Sequence, residues 1–372
     1  MNCLLESQWH RSQQHLKDVI SQCRKVDICL DGWSKKSVTS SFLGISACWY
    51  DVPGKSAQHA VLSIAQLDHP HTGEMIAEAL STCLSVWGIG TDKIQLIVTD
   101  NGANMIKAIR LMSESEVCSE SDGEEDLSDS ESESVTEEMQ TEDSGESELD
   151  LSQHVADRRM QCMAHTLQLT IKIVYKQFAP ILAKTRNLVS RIRQSAKMME
   201  KITKETGKRV ITDNTTRWNS TYMMISRLLD IKGPVNNVLN EHGVDSLMIS
   251  EWTTLDVIRR LLEPFASQTD LLQTDALSLS YAIPAILDLQ CHLQQFASHE
   301  ALTMSLEKDL RRRFGTILDL SDSNFNPLPA AACLLDFSVA PVLLSSEMKP
   351  LLEAAKLFIC REVNVFFRYR IR

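Results

Sequence analysis

The sequence predicts an α/β region followed by an all-helical region, and three observations carry that reading. Up to residue 112, alternating apolar patterns give three strands, a helix and a fourth strand. After about Ile231 the apolar-rich stretches have the 3.6-residue spacing of amphipathic helices, except the last, "ICREVNVFFRYRIR", which mixes apolar and basic groups without a clear period. Between the two regions lies a Ser/Glu/Asp tract: from Glu114 to Asp150 there are 17 acidic residues and no Lys or Arg. The expected divisions are therefore 1–112, 113–152, 153–230 and 231–372.

The chain opens with a polar helix, about Glu6 to Cys23. "VDICLDGWS" then reads as a short strand ending at Asp31, "SSFLGISACWYD" as a second and "HAVLSIAQL" as a third. Their short connectors, one with Pro53 and Gly54, suit antiparallel hairpins. "TGEMIAEALSTCLSVWGI" places Met75, Ile76, Ala79, Leu80, Cys83, Leu84 and Trp87 on one helical face and closes at Gly88 and Gly90. "KIQLIVTD" is a fourth strand. It is entered from a helix, and is therefore expected to run parallel to the first. The tract from 113 to 152 has few large apolar residues and too little burial to offset ordering, so disorder is expected there. From Asp157 the pattern turns helical through "RRMQCMAHTLQLTIKIVYKQF", and "RVITDN" is a short strand candidate before the helical "TTRWNSTYMMISRLLDI". Helices are expected around 252–262, 281–296 and 301–318, with Pro234, Pro264 and Pro284 as punctuation near helix starts.

The formal charge of −11 is concentrated in the acidic tract; outside it 32 acidic residues face 38 basic ones, a mildly basic body. The ten cysteines form no CxxC pair, which fits a reducing intracellular compartment. No apolar run approaches the roughly 18 residues that span a bilayer, and no membrane partner is expected.

Asp31 and Asp100 each end an apolar strand and precede a turn. If strands one and four are neighbours, the two carboxylates converge at one sheet edge, and a hard divalent ion such as Mg²⁺ or Mn²⁺ suits the gap between them. Two ions roughly 3.5–4 Å apart serve displacement at phosphate, and that arrangement needs a third carboxylate. The competing reading is ordinary turn or cap chemistry, since Asp before Gly is common there. Cys162 and His165 lie three apart on one expected helical face; without two further ligands they read as a packed structural pair rather than a zinc site. His69 and His71 precede a helix start that Thr72 could cap. The basic clusters at Arg158 and at Arg311 to Arg313 read as solvated helix faces.

Taken together and in order, "LDGWS", "VTDNGANM", "QCMAHTLQL" and "TRWNSTY" resemble the hAT transposase superfamily, and within it the domesticated BED-type zinc finger proteins. The resemblance covers about Val26 to Leu352. It implies an RNase H-like core interrupted by insertions and followed by an all-helical insertion domain. It makes Asp31 and Asp100 the first two acids of a DDE triad, Cys162 and His165 the family's CxxH pair, and Trp218 the tryptophan that assists at a flipped base or hairpin end. Arg217 beside it could touch a phosphate. The motif that carries the family's third acid, the dimerisation segment containing it, and the BED finger have no counterpart in the sequence; Glu347 in "LLSSEMKPLL" falls at the wrong place. The expectation is a nuclear, non-enzymatic regulator associated with DNA or chromatin. It would carry no cofactor unless the acidic pair still binds Mg²⁺ or Mn²⁺, and its helical region would offer protein contacts. The missing dimer segment argues against the family's usual dimer. Serines set before acidic residues make the tract a substrate pattern for acidophilic kinases, each phosphate adding about −1.5 to −2 charge. The alternative is an active metal-dependent DNA transposase.

Overall fold

The computed structural model describes residues 2–34, 40–119, 158–214, 218–273, 279–296 and 299–370. Its backbone divides into two compact units, Met1–Cys162 and Met163–Arg372.

The first unit is a five-stranded sheet in the order β3-β2-β1-β4-β5 with helices on one face. Its strands are β1 (Val26–Ser34), β2 (Ser41–Asp51), β3 (Ser56–Leu67), β4 (Ile94–Thr99) and β5 (Arg159–Gln161). β1, β2 and β3 pair antiparallel, whereas β4 pairs parallel to β1, and β5 parallel to β4. The parallel pairing expected for the first and fourth strands is present. β1 differs from expectation at its end: it continues past Asp31 to Ser34, which pairs with Ser41. The sheet's period of two sets its burial. Val26, Ile28, Leu30, Leu43, Ile45, Ala47 and Trp49 point to one side. There they meet α1 (Asn2–Gln22), α2 (Gly73–Trp87) and α3 (Ala103–Ser119) in a single apolar cluster.

α2 is a well-delimited helix. The Thr72 side chain accepts from the Met75 N–H at its start, as the sequence suggests, and Gly88 closes it at φ 66°. That left-handed geometry is natural for glycine and strained for other residues. Ile76, Leu80, Cys83, Leu84 and Trp87 form its buried stripe, and the Trp87 indole N–H donates to the Leu62 carbonyl at 3.0 Å. α3 runs on to Ser119, so residues 113–119 of the expected disordered tract are helical. The rest of that tract lies outside the described residues.

Two elements correct the sequence reading. "RMQ" is strand β5 rather than part of a helix, held by its ladder with Ile97, Val98 and Thr99. "RVITDN" is not a sheet strand; its chain is irregular up to a single bridge residue at Asn214.

The second unit is helical: α4 (Met163–Gln177), α5 (Ala179–Gln194), α6 (Ala196–Thr206), α7 (Trp218–Asp230), α8 (Lys232–Glu241), α9 (Ile249–Leu272), α10 (Ala282–Gln295), α11 (Glu300–Arg313), α12 (Gly315–Leu318), α13 (Leu328–Leu335) and α14 (Lys349–Arg370). One large core joins residues from α4 through α12, and a smaller cluster joins Ile283 to α13 and α14. α4 packs on α9 and α11, across the division expected near Ile231. Pro234 and Pro284 sit near helix starts, but Pro264 lies inside α9. Among the described residues no helix is long and apolar enough to cross a membrane.

Leu80 is fully enclosed whereas Val86, on the same helix, is about half exposed. Leu80→Ala is expected to cost roughly 2–5 kcal/mol, and Val86→Ala within about 0.5 kcal/mol. Hydrogen exchange of the α2 amides in the full chain reads both.

Candidate functional site

The parallel ladder fixes where the two aspartates stand. Its last pair is Cys29 with Val98, and Asp31 and Asp100 each lie two positions further on. Adjacent strands run about 4.8 Å apart. The two residues therefore stand at the same level, at the end where β1 keeps β2 but loses β4. Asp31 is exposed and lies opposite Gly44. A Cβ on Gly44 would come within 2.9 Å of the Trp33 ring, so the glycine lets that indole lie close on the sheet and stack on Phe42 at 5.9 Å.

Asp100 is committed to local structure. Its Oδ1 accepts from the Gly102 N–H at 2.9 Å, and the Gly102 carbonyl then accepts from Ile106 in the first turn of α3. This is an Asx turn leading into a helix. Arg159 of β5 closes over it: Nε donates to Thr99 Oγ1 at 2.9 Å, and Nη2 to the Asp100 carbonyl at 2.7 Å and Asn101 Oδ1 at 3.0 Å. Burial pulls the Arg159 pKa below its ordinary value, and the nearby Asp100 charge opposes that pull. Asn101 Nδ2 reaches Gln161 Oε1 at 2.8 Å, and the Cys162 N–H donates to the Thr99 carbonyl at 2.7 Å. Arg158 donates to the carbonyls of Thr91 and Ile94 at 2.6 and 3.0 Å. Both arginines of "RRMQ" thus bind backbone, which corrects the reading of a solvated helix face.

Asp27 and Cys29 share the Asp31 face of β1. Burial pushes the Asp27 carboxyl up to about 6. The Cys29 thiol is raised by its hydrogen bond with Cys48 and by burial. Among the described residues, no group of three or more His, Cys, Asp or Glu side chains is arranged to hold a metal ion.

Two family profiles match this chain. One, described as the ZBED1 RNase-like domain, covers residues 29–124, and another, the ZBED1 RNase-like helical domain, covers residues 160–261. The chain belongs to the hAT-type BED zinc finger proteins. The first match starts inside β1 and runs beyond α3; the second starts in β5 and ends in α9. Among curated proteins, the chain is 26% identical over 344 residues to the candidate transcriptional regulator tpeD of Talaromyces stipitatus, covering 82% of this chain and 37% of that one. It is 24% identical over 188 residues to zinc finger BED domain-containing protein 4 of Homo sapiens, covering 48% and 16%. It therefore spans less than two fifths of the length of either relative.

The family's other motif residues lie as follows. Cys162 sits between β5 and α4 and does not share a helical face with His165, because α4 starts only at Met163. Trp218 is the first residue of α7 and is 6% exposed, packed in the helical core. Its ring is enclosed rather than offered for stacking, and its carbonyl accepts from Tyr175 Oη at 2.8 Å. Burial raises the Tyr175 hydroxyl above its ordinary pKa. Arg217 lies outside the described residues.

Asp213 is the residue that the sequence reading missed. Its Oδ2 accepts from Arg186 Nε at 2.7 Å and from Thr221 Oγ1 at 2.8 Å, with its side chain 7% exposed. Next to it, the Asn214 N–H donates to Ser220 Oγ, which donates back to the Asn214 carbonyl, at 2.7 and 2.8 Å. These bonds grip the chain on both sides of residues 215–217. No local spacing signals it, because its partners Arg186 and Thr221 lie 27 and 8 residues away. Arg311, Arg312 and Arg313 pair with Glu307 and Asp309 on their own helix, so most of this cluster's charge is offset locally.

Asp213→Ala would leave Arg186 without its partner. A fully buried pair costs 3–5 kcal/mol to break; with Arg186 about one-third exposed, roughly 2–3 kcal/mol is expected, measured by urea denaturation beside Arg186→Ala.

Proposed function

We propose that this chain is a transposase-derived nuclear protein without catalytic activity, acting as a DNA- or chromatin-associated transcriptional regulator. Its first unit is read as an RNase H-like core. The sheet order with three antiparallel strands followed by parallel ones supports that assignment, as does the RNase-like family match. The helices up to Asp230 are read as the remainder of that core and the later ones as an insertion domain offering protein contacts. The description of tpeD as a candidate transcriptional regulator supports the regulatory role.

The observation that carries the inactive reading is the state of Asp100. One carboxylate oxygen serves the Gly102 N–H, and Arg159 holds the surrounding turn. Asp31 and Asp100 are read as the remnant of an acidic triad. A pair of carboxylates suffices to hold one Mg²⁺ or Mn²⁺ with water and phosphate oxygens, but a two-ion site asks for a third. Cys162 and His165 are assigned structural roles. For nucleic acid, the segment held by Asp213 and Ser220 is the contact: Arg217 would meet phosphate, and Trp218 would be its buried anchor. The acidic tract of 113–152 would repel DNA, accept phosphate from acidophilic kinases and attract basic partners.

The common level of Asp31 and Asp100 favours the alternative, an active metal-dependent transposase. Calorimetry with Mg²⁺ and Mn²⁺ and a plasmid-nicking assay distinguish the two on the wild-type chain and Asp100→Asn. Asparagine keeps an Oδ1 acceptor for Gly102, so the variant tests charge without removing the turn. No nicking by either protein is expected, with a modest loss of stability in Asp100→Asn because Arg159 loses its counter-charge. Nicking by the wild type that Asp100→Asn abolishes would establish the alternative.

A further inference from the structure

β3 is the outer strand of the sheet, and among the described residues no strand flanks its free side. It is twelve residues long and contains no Lys, Arg, Asp, Glu or Pro. Edge strands are ordinarily blunted by such residues or by brevity, because their open N–H and C=O groups pair with other chains. β3 has a register shift at Leu62, where Ile45 pairs with Ser63 but Ser46 pairs with Val61, and at that residue the carbonyl accepts from the Trp87 indole N–H. That shift turns Val61 and Ile64 to the same face, away from the helices, where they are 57% and 60% exposed. Beside the strand, towards α2, runs a groove of about 370 Å³ lined by Leu62, Leu67, Met75, Ala79, Val86 and Trp87.

We propose that β3 pairs antiparallel with β3 of a second copy of this chain, joining the two sheets across a two-fold axis. The geometry selects the register. A two-fold normal to the sheet requires opposed residues to share a face. On the exposed face these are Ala57, His59, Val61, Ile64 and Gln66, which pair across from Tyr50, Cys48, Ser46, Gly44 and Phe42. Centring the axis between Leu62 and Ser63 sets Val61 against Ile64 of the second copy, His59 against Gln66, and Ala60 against Ala65. Every such pair then lies on a common face, and the register shift of one copy faces that of the other. The two exposed β-branched residues meet twice, and such cross-strand pairs each contribute roughly 0.2–1 kcal/mol. An uncharged strand meets its own copy without like-charge repulsion. At each end, Asp68 of one copy comes near Lys55 of the other. The groove beside α2 then receives the helix-side groups of the added strand. An isologous contact of this kind closes at two copies.

Sedimentation velocity on the full chain over a range of micromolar concentrations tests the proposal. The wild type is expected as a concentration-dependent dimer. Val61→Lys, at an exposed position, should weaken the dimer at least tenfold without changing the melting temperature. The double variant Val61→Lys, Ile64→Glu places opposite charges face to face twice in this register, and should restore the dimer. Phe337→Lys, an exposed apolar site in the other unit, should leave it unchanged. A wild-type monomer at every concentration overturns the proposal, and so does a dimer indifferent to Val61→Lys. A dimer that Val61→Lys weakens and the double variant fails to restore overturns it too, because pairing would then not follow this two-fold register.

Discussion

The first unit depends on the closure of β5 against the end of β4. A parallel strand has no hairpin to fix its partner, and here the chain leaves α3 at Ser119 and returns only at Arg158. A three-residue strand supplies few ladder bonds of its own. Arg159 compensates by binding Thr99, Asp100 and Asn101 at once, while Arg158 holds Thr91 and Ile94 at the opposite end of β4. With the register fixed by these contacts, the length of the intervening chain matters little, since loop closure cost grows only logarithmically. The position of the acidic tract follows: the first family match ends inside it at residue 124, the second begins after it at residue 160, and the sheet is closed by residues that flank it.

The same closure gives Asp100 a structural duty. A carboxylate at a strand tip with two uncommitted oxygens is a metal ligand in waiting; one that accepts from Gly102 beside Arg159 is also a turn residue and a counter-charge. The Gly102 N–H needs only an oxygen acceptor, whereas the counter-charge to Arg159 and a metal ion both need the carboxylate charge.

How far the sequence could be read tracks how much each element depends on its own residues. The first four strands and α2 were legible because alternation and helical spacing are local, and Thr72 and Gly88 mark the ends of α2. The parallel pairing of β1 and β4 followed from the intervening helix. β5 was lost because "RMQ" has no alternation and derives its strand character from β4. "RVITDN" misled in the opposite sense, with β-branched residues but no partner ladder. Cys162 was assigned to a helix one residue too early. Trp218 was read through the resemblance as a residue at a flipped base, and its enclosure comes from packing with other helices that its own stretch does not show. Asp213 was passed over because its partners, Arg186 and Thr221, lie 27 and 8 residues away.

The sheet's two margins are handled by opposite means. On one side β5 is so short, and its arginines so fully engaged, that little backbone is left to template another strand. On the other, β3 offers twelve residues with neither charge nor proline, and its one irregularity turns two apolar side chains outward instead of shielding the edge. A margin under selection only against aggregation would acquire a lysine or a proline at small cost, since Val61 and Ile64 contribute little to the core they face away from. Exposed β-branched apolar residues at these two positions are physically economical only if the edge is covered. The bulge that breaks the strand's own alternation is also what makes its exposed face symmetric about its centre, which is the property a self-pairing edge requires.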